Sequence, residues 1–117
     1  VLKLFMERDQ ASILDAVRFA ELILEFTEGM DEQIFYCDLK TQGAVLYEIT
    51  ILGEAFRRLS LEFREEHPEI PYSKVIGMRN RLTHDYGKVD LDVVWRVIKT
   101  DIPELLALLK PLVPTED

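Results

Sequence analysis

Three features of this sequence predict an all-α fold, an up-and-down bundle of four to five helices. Apolar residues recur at i, i+3, i+4, i+7 spacing along most of the chain. No stretch alternates with period two for long enough to make a sheet. Capping residues, glycines and prolines punctuate the apolar stretches where helices would begin and end. Helices with one apolar stripe must bury it against one another, and short connections make neighbours antiparallel.

Taken in order, Asp9 is positioned to cap a first helix carrying Ile13, Ala16, Val17, Ala20, Ile23 and Leu24, which Gly29 ends. Asp31 starts a short helical turn with Ile34 and Phe35. Asp38 caps the next helix, expected to run to about Glu66 with Ala44, Val45, Ile49, Leu52, Ala55, Phe56, Leu59 and Phe63 on its buried stripe. His67-Pro68-Glu69-Ile70-Pro71 must break it, because each proline disfavours helix at itself and at the residue before. Ser73 caps a helix through Val75, Ile76, Met78 and Leu82, with Gly87 as its stop. Asp90 caps another through Leu91, Val94, Trp95 and Ile98. Asp101 and Pro103 mark a bend or restart, after which Leu105, Leu106, Leu108, Leu109 and Leu112 continue the apolar face.

With 117 residues the chain is expected to form a single domain over 1–117, and 48% apolar content excludes disorder. The net charge of −8 argues against a general nucleic-acid coat. The charge is unevenly spread: residues 57–99 hold nine Lys/Arg against seven acids, and the rest holds five bases against fifteen acids. An anionic ligand is therefore expected to be small, held locally, or bound where two chains meet. Cys37 is the only cysteine, so no intrachain disulfide forms and a reducing compartment is expected. Without a membrane-length apolar run, and with Lys3, Glu7, Arg8 and Asp9 interrupting the N-terminus, the expectation is a cytoplasmic protein.

The stretch Gly77-Met78-Arg79-Asn80-Arg81-Leu82-Thr83-His84-Asp85-Tyr86-Gly87 gathers two guanidiniums, an amide, an imidazole and a phenol near one helix end. Asn80 and His84 lie four residues apart, about 40° around a helix, so the amide can orient the imidazole. Arg79 and Tyr86 share a face. Arg79 and His84 lie roughly 140° apart, which is awkward for convergence within one regular helix. Either the helix loosens at His84 or the segments of two chains face each other.

An always-charged Arg beside a titratable His suits phosphodiester cleavage without a metal or other cofactor. Arg79 would neutralise charge on the phosphoryl oxygens. His84 would take the 2′-hydroxyl proton or give one to the leaving oxygen, which requires RNA. Lys74, Arg81 and Lys88 are candidates for holding the RNA. The alternative is that the cluster only caps carbonyls and pairs with acids such as Asp85.

The segment Arg79-Asn80-x-x-x-His84-x-Tyr86 resembles the signature of the HepT group within the HEPN superfamily. Thr27-Glu28-Gly29-Met30, Gln42-x-Ala44-Val45, Ile51-Leu52-Gly53-Glu54-Ala55 and Arg58-Leu59-Ser60 are similar to that group as well. So are His67-Pro68-Glu69-Ile70-Pro71, Val89-Asp90-Leu91-x-x-Val94-Trp95 and Asp101-x-Pro103-Glu104-Leu105. The resemblance implies a HEPN-type bundle that dimerises through its motif helix. It implies a metal-independent ribonuclease toxin, of a type II or type VII-like toxin–antitoxin system, with Arg79 and His84 catalytic and Asn80 supporting. It also implies an MNT-type nucleotidyltransferase antitoxin that adds AMP to Tyr86, placing bulk and negative charge beside the site. The chain departs from the pattern after the tyrosine, where Gly87-Lys88 follow. The reading from a different class is a non-catalytic nucleotide- or substrate-binding module partnering a nucleotidyltransferase. The acidic charge favours that module, and nucleotide binding without RNA cleavage would select it.

The remaining candidates have plainer expectations. His67, without a nearby second His or Cys, is a loop or helix-end residue and not a metal ligand. Cys37 is expected to be a small buried apolar residue. Trp95 is expected in the core or a dimer seam. Asp15, Glu21, Glu25 and Glu28 are expected to form a solvated face.

Overall fold

The computed structural model describes residues 2–84 and 86–114, with side chains described for 6–82 and 87–114. The described residues form α1 (Leu2–Phe26), α2 (Glu32–Cys37), α3 (Leu39–Arg57), α4 (Leu61–Glu66), α5 (Tyr72–His84), α6 (Leu91–Arg96) and α7 (Ile102–Leu109), with no strand among them. A π turn over Val97–Asp101 joins α6 to α7, and a 3₁₀ turn over Tyr86–Lys88 follows α5. The all-helical bundle read from the sequence is the observed architecture.

Several ends form where local chemistry requires them. Asp31 accepts the Ile34 N–H at 2.8 Å and Asp38 accepts the Thr41 N–H at 3.0 Å, each satisfying an orphan donor of a helix start. Asp90 does the same for α6 through Asp92 N–H. Gly29, at φ 79°, takes the left-handed turn after α1. Gln42 Nε2 donates to the carbonyls of Phe35 and Tyr36 at 2.9 and 3.0 Å, tying the end of α2 to α3.

Two expected boundaries are corrected by one long-range contact. Asp9 is not a cap: α1 already begins at Leu2, and Asp9 is buried within it. Its carboxylate accepts from Ser60 N–H at 2.8 Å and from Ser60 Oγ at 2.6 Å. Ser60 Oγ in turn accepts the Phe63 N–H, so the residue is the N-cap of α4. The helix expected over 38–66 is therefore broken at Arg58–Ser60, because Asp9 takes the Ser60 N–H that a continuous helix would use.

The next helix begins at Tyr72, behind Pro71, so Ser73 stands inside its first turn and is not its cap. Asp101-Pro103 marks the expected restart, since α7 begins at Ile102 with Pro103 in its first turn. The turn before it is widened, with Ile102 N–H reaching Val97 O, five residues back. Widening accommodates a proline that has no N–H and whose ring would crowd a carbonyl in a regular α-turn.

Helix α3 is central, packed on α1 along one flank and on α5 along the other, with α7 also against α1. Ile13, Ala16, Ala20 and Ile23 of α1 and Val45, Ile49, Leu52 and Phe56 of α3 are at most 1% exposed. Fully burying one such Ile or Leu is worth about 1.5–3 kcal/mol. Ala44 is only half-buried, while Glu48 and Gly53 join the buried side. Phe35 carries α2 into the core, its ring 5.4 Å from that of buried Trp95, as expected for the tryptophan. Cys37 is exposed, not buried, because it ends the short α2 on its outer side. The shortest dimension of the molecule is 21 Å, about two helix diameters, so α5 has one face on the core and one on solvent.

Candidate active site

Helix α5 supports the site. Val75 is buried and Ile76, Met78 and Leu82 are half-buried, which leaves Asn80 and Arg81 facing solvent and Arg79 at the edge that meets α3. Arg79 and α3 come together at Gly53. A Cβ built there would lie 2.2 Å from Arg79 Cβ and 2.7 Å from its Cγ, far inside contact distance, so only glycine admits the Arg79 stem.

The guanidinium is aimed from two sides. Its Nη2 lies 3.4 Å from Glu54 Oε1, and its Nη1 donates to Asn80 Oδ1 at 3.1 Å. Arg79 is 17% exposed and Glu54 41%, so the ion pair is partly shielded and holds the head more firmly than a fully exposed pair would. Asn80 directs its carbonyl to Arg79. The expected amide–imidazole contact with His84 lies outside the described side chains, as do the His84 imidazole and the Tyr86 phenol themselves. In backbone terms α5 remains α-helical through His84 and Tyr86 stands in the 3₁₀ turn. The loosened helix that would bring residues 79 and 84 together within one chain is thus not formed up to His84.

The three further cations divide into two groups. Lys74 Nζ lies 3.1 Å from Asp101 Oδ1, which ties the start of α5 to the start of α7. Arg81 and Lys88, both exposed, stand at one cavity of about 230 Å³ between α5 and α6. Among the described residues no group of three or more His, Cys, Asp or Glu is placed to hold a metal ion. His67 caps α4, its ring centroid 4.6 Å from that of Phe63 and its carbonyl accepting from Tyr72 Oη. Glu21, Glu25 and Glu28 are exposed, and Asp15 pairs with Arg58 at 3.6 Å.

Gly53 and Glu54 were not recognisable as site residues from α5 alone. Their only signal is their place inside the Ile51–Ala55 segment that resembles the HepT group. The cavity walls had no signal, since they come from three helices.

Comparison with known proteins places the chain in a family. Residues 17–112 match the family described as ribonuclease HepT-like. A probable ribonuclease HepT of Thermococcus cleftensis is 42% identical over 101 residues, covering 86% of this chain and 92% of the relative. A protein of Methanocaldococcus jannaschii named as a proposed RNase is 32% identical over 96 residues, covering 82% and 88%. Another so named, from Caldanaerobacter subterraneus, is 33% identical over 96 residues, covering 82% and 86%. No solved structure matches the chain. The class is that of all-helical RNA endonucleases. Within it, the chain belongs to the HepT-like ribonuclease family. Among the described residues no helix is long and apolar enough to cross a membrane.

Proposed function

We propose that this chain is the metal-independent endoribonuclease toxin of a cytoplasmic toxin–antitoxin pair, of type II or type VII-like organisation, active as a homodimer. The observation that carries the reading is the seat of Arg79, whose stem lies against Gly53 and whose head is aimed by Glu54 and Asn80. A cation held this way meets a phosphoryl group without reorganising, which is where electrostatic catalysis gains most.

A regular helix through His84 points residues 79 and 84 about 140° apart, so the site is completed by a second copy of α5. Two facing copies put two imidazoles in one cleft. One takes the ribose 2′-hydroxyl proton as the 2′-oxygen bonds to phosphorus. The other gives a proton to the 5′-oxygen as its bond to phosphorus breaks, leaving a 2′,3′-cyclic phosphate. Arg79 neutralises the charge that grows on the non-bridging oxygens. Facing copies also pool cations that a single acidic chain lacks. The antitoxin in this reading is an MNT-type nucleotidyltransferase that adds AMP to Tyr86 and so blocks the cleft, within a hetero-oligomer of both proteins.

The test is cleavage of total cellular RNA in EDTA by wild type, Arg79→Ala and His84→Ala. The expected result is cleavage by wild type alone, with both variants folded. Cleavage surviving in either variant would overturn the residue assignment. Absence of cleavage by wild type with an unmodified Tyr86, read by intact mass, would select the nucleotide-binding module.

A further inference from the structure

The cavity between α5 and α6 has walls and a rim of opposite chemistry. Ile49, Met78, Leu82, Val93, Val94 and Val97 line it with aliphatic surface, and Arg81, Lys88 and Asp90 stand around them. Among the described residues neither Arg81 nor Lys88 forms an ion pair. In a chain of net charge −8, two such cations at one opening are a local reversal of sign that attracts an anion.

A bare phosphate would use the rim and leave the walls wet. A purely apolar guest would use the walls and leave one guanidinium and one ammonium with only the Asp90 carboxylate to balance them. A phosphate joined to a flat heteroaromatic ring satisfies both, and unstacked bases of single-stranded RNA are bound in this way, packed between apolar side chains. The Met78 thioether is suited to the edge or face of such a ring. Asp90 already accepts the Asp92 N–H through Oδ1, and a carboxylate has further acceptor sites for a base N–H at the rim.

The cavity also lies at a useful distance from Arg79. Arg79 and Arg81 are two residues apart and so leave α5 on nearly opposite sides, one towards α3 and Gly53 and the other towards the cavity. Anions held at the two guanidiniums are separated by roughly one helix diameter, about 10 Å. That separation fits a neighbouring nucleotide better than the scissile phosphate itself.

We propose that this cavity is a base-binding subsite, taking one unstacked nucleobase of the RNA beside the scissile linkage while Arg81 and Lys88 hold its phosphate. The assignment rests on the ribonuclease reading for its biological meaning, and its binding step is testable apart from cleavage.

The chain carrying ¹³C-methyl Met and Val is titrated with the 3′-monophosphates of uridine, cytidine, adenosine and guanosine, and with inorganic phosphate. Saturable shifts of the Met78 and Val93 methyls with at least one nucleotide, absent with inorganic phosphate, are the expected result. Combined Arg81→Ala and Lys88→Ala should weaken that binding roughly tenfold or more. No methyl shift, or the same shift with inorganic phosphate, overturns the proposal. So does a shift that follows dilution of the protein alone, which would identify a second copy as the occupant.

The second arm uses an RNA oligonucleotide with one abasic ribose stepped past the cleavage site. At one flanking position the missing base should raise KM roughly tenfold in wild type, and leave KM unchanged in Val93→Phe, where the cavity is filled. An equal penalty in both proteins overturns the proposal. Nucleotide binding in a chain that cleaves no RNA would sink the ribonuclease reading and keep the subsite. Cleavage with no nucleotide binding and no abasic effect would do the reverse.

Discussion

Helix α3 meets α1 along one flank and α5 along the other, and the two seams are built from different material. On the α1 side the buried apolar residues are Ile13, Ala16, Val17, Ala20 and Ile23, a stripe of ordinary core chemistry with buried Asp9 and Ser12 towards its start. On the α5 side only Val75 is buried among the described side chains, and the stem of an arginine packs against a glycine. The first seam gains stability from area removed from water. The second gives up some of that area to bring a charged head to the surface in a fixed direction. Stability and chemistry are therefore separable by mutation along a single helix.

The largest contrast sets Leu52→Ala against Arg79→Ala. Leu52 is fully buried, so its truncation should cost about 2–5 kcal/mol in denaturant unfolding while the folded fraction cleaves RNA at the wild-type rate. Arg79→Ala should behave in the opposite sense, with cleavage down roughly a hundredfold or more and stability changed by about 1 kcal/mol or less. A similar loss of both properties in both variants would break the comparison.

Gly53→Ala sharpens it. Replacing glycine by alanine inside a helix ordinarily adds up to about 1 kcal/mol of stability. Here the new methyl would meet Arg79 Cβ at 2.2 Å, so the change should instead cost about 1–3 kcal/mol and lower kcat together with it. A stabilised and fully active Gly53→Ala would show that α5 is free to move away.

Glu48 offers a smaller effect, set by pH. Its carboxyl is buried, one oxygen has no hydrogen-bond partner among the described residues, and burial raises its pKa. A raised folded-state pKa means that the folded chain holds this proton more tightly than the unfolded one. The contribution is present below the ordinary carboxylate pKa and is lost as pH rises through the raised value. Glu48→Gln should therefore add about 1 kcal/mol at neutral pH and flatten the pH dependence of Tm over mildly acidic conditions. The smallest expected change is Glu54→Gln. Its half-exposed pair with Arg79 should alter stability by less than about 1 kcal/mol, while kcat falls a few-fold as the guanidinium loses one of its guides.

What was legible in the sequence follows the range of the forces involved. The caps at Asp31, Asp38 and Asp90 and the turn at Gly29 are set by bonds spanning two to four residues, and each stands where local chemistry places it. The break before α4 has one local sign, the Ser60 cap, but the Ser60 N–H is taken by Asp9, 51 residues away, which no local rule points to. The same holds for the site. Arg79 and Asn80 were legible because they adjoin one another on one helix. Gly53 and Glu54 acquire their roles only when α3 and α5 come together, and the cavity beside Arg81 exists only once α3, α5 and α6 are assembled.

The central claim, that Arg79 and His84 from two facing copies of α5 make one metal-independent site, is tested most directly by complementation. Arg79→Ala and His84→Ala chains are co-expressed, purified together and assayed on RNA in EDTA beside each variant alone. The account predicts that the mixed population regains part of the cleavage, since the shared cleft then holds one intact Arg79 and one intact His84 from different copies, with water standing in for the second imidazole. A mixed population that forms the heterodimer and remains as inactive as its parents would contradict it.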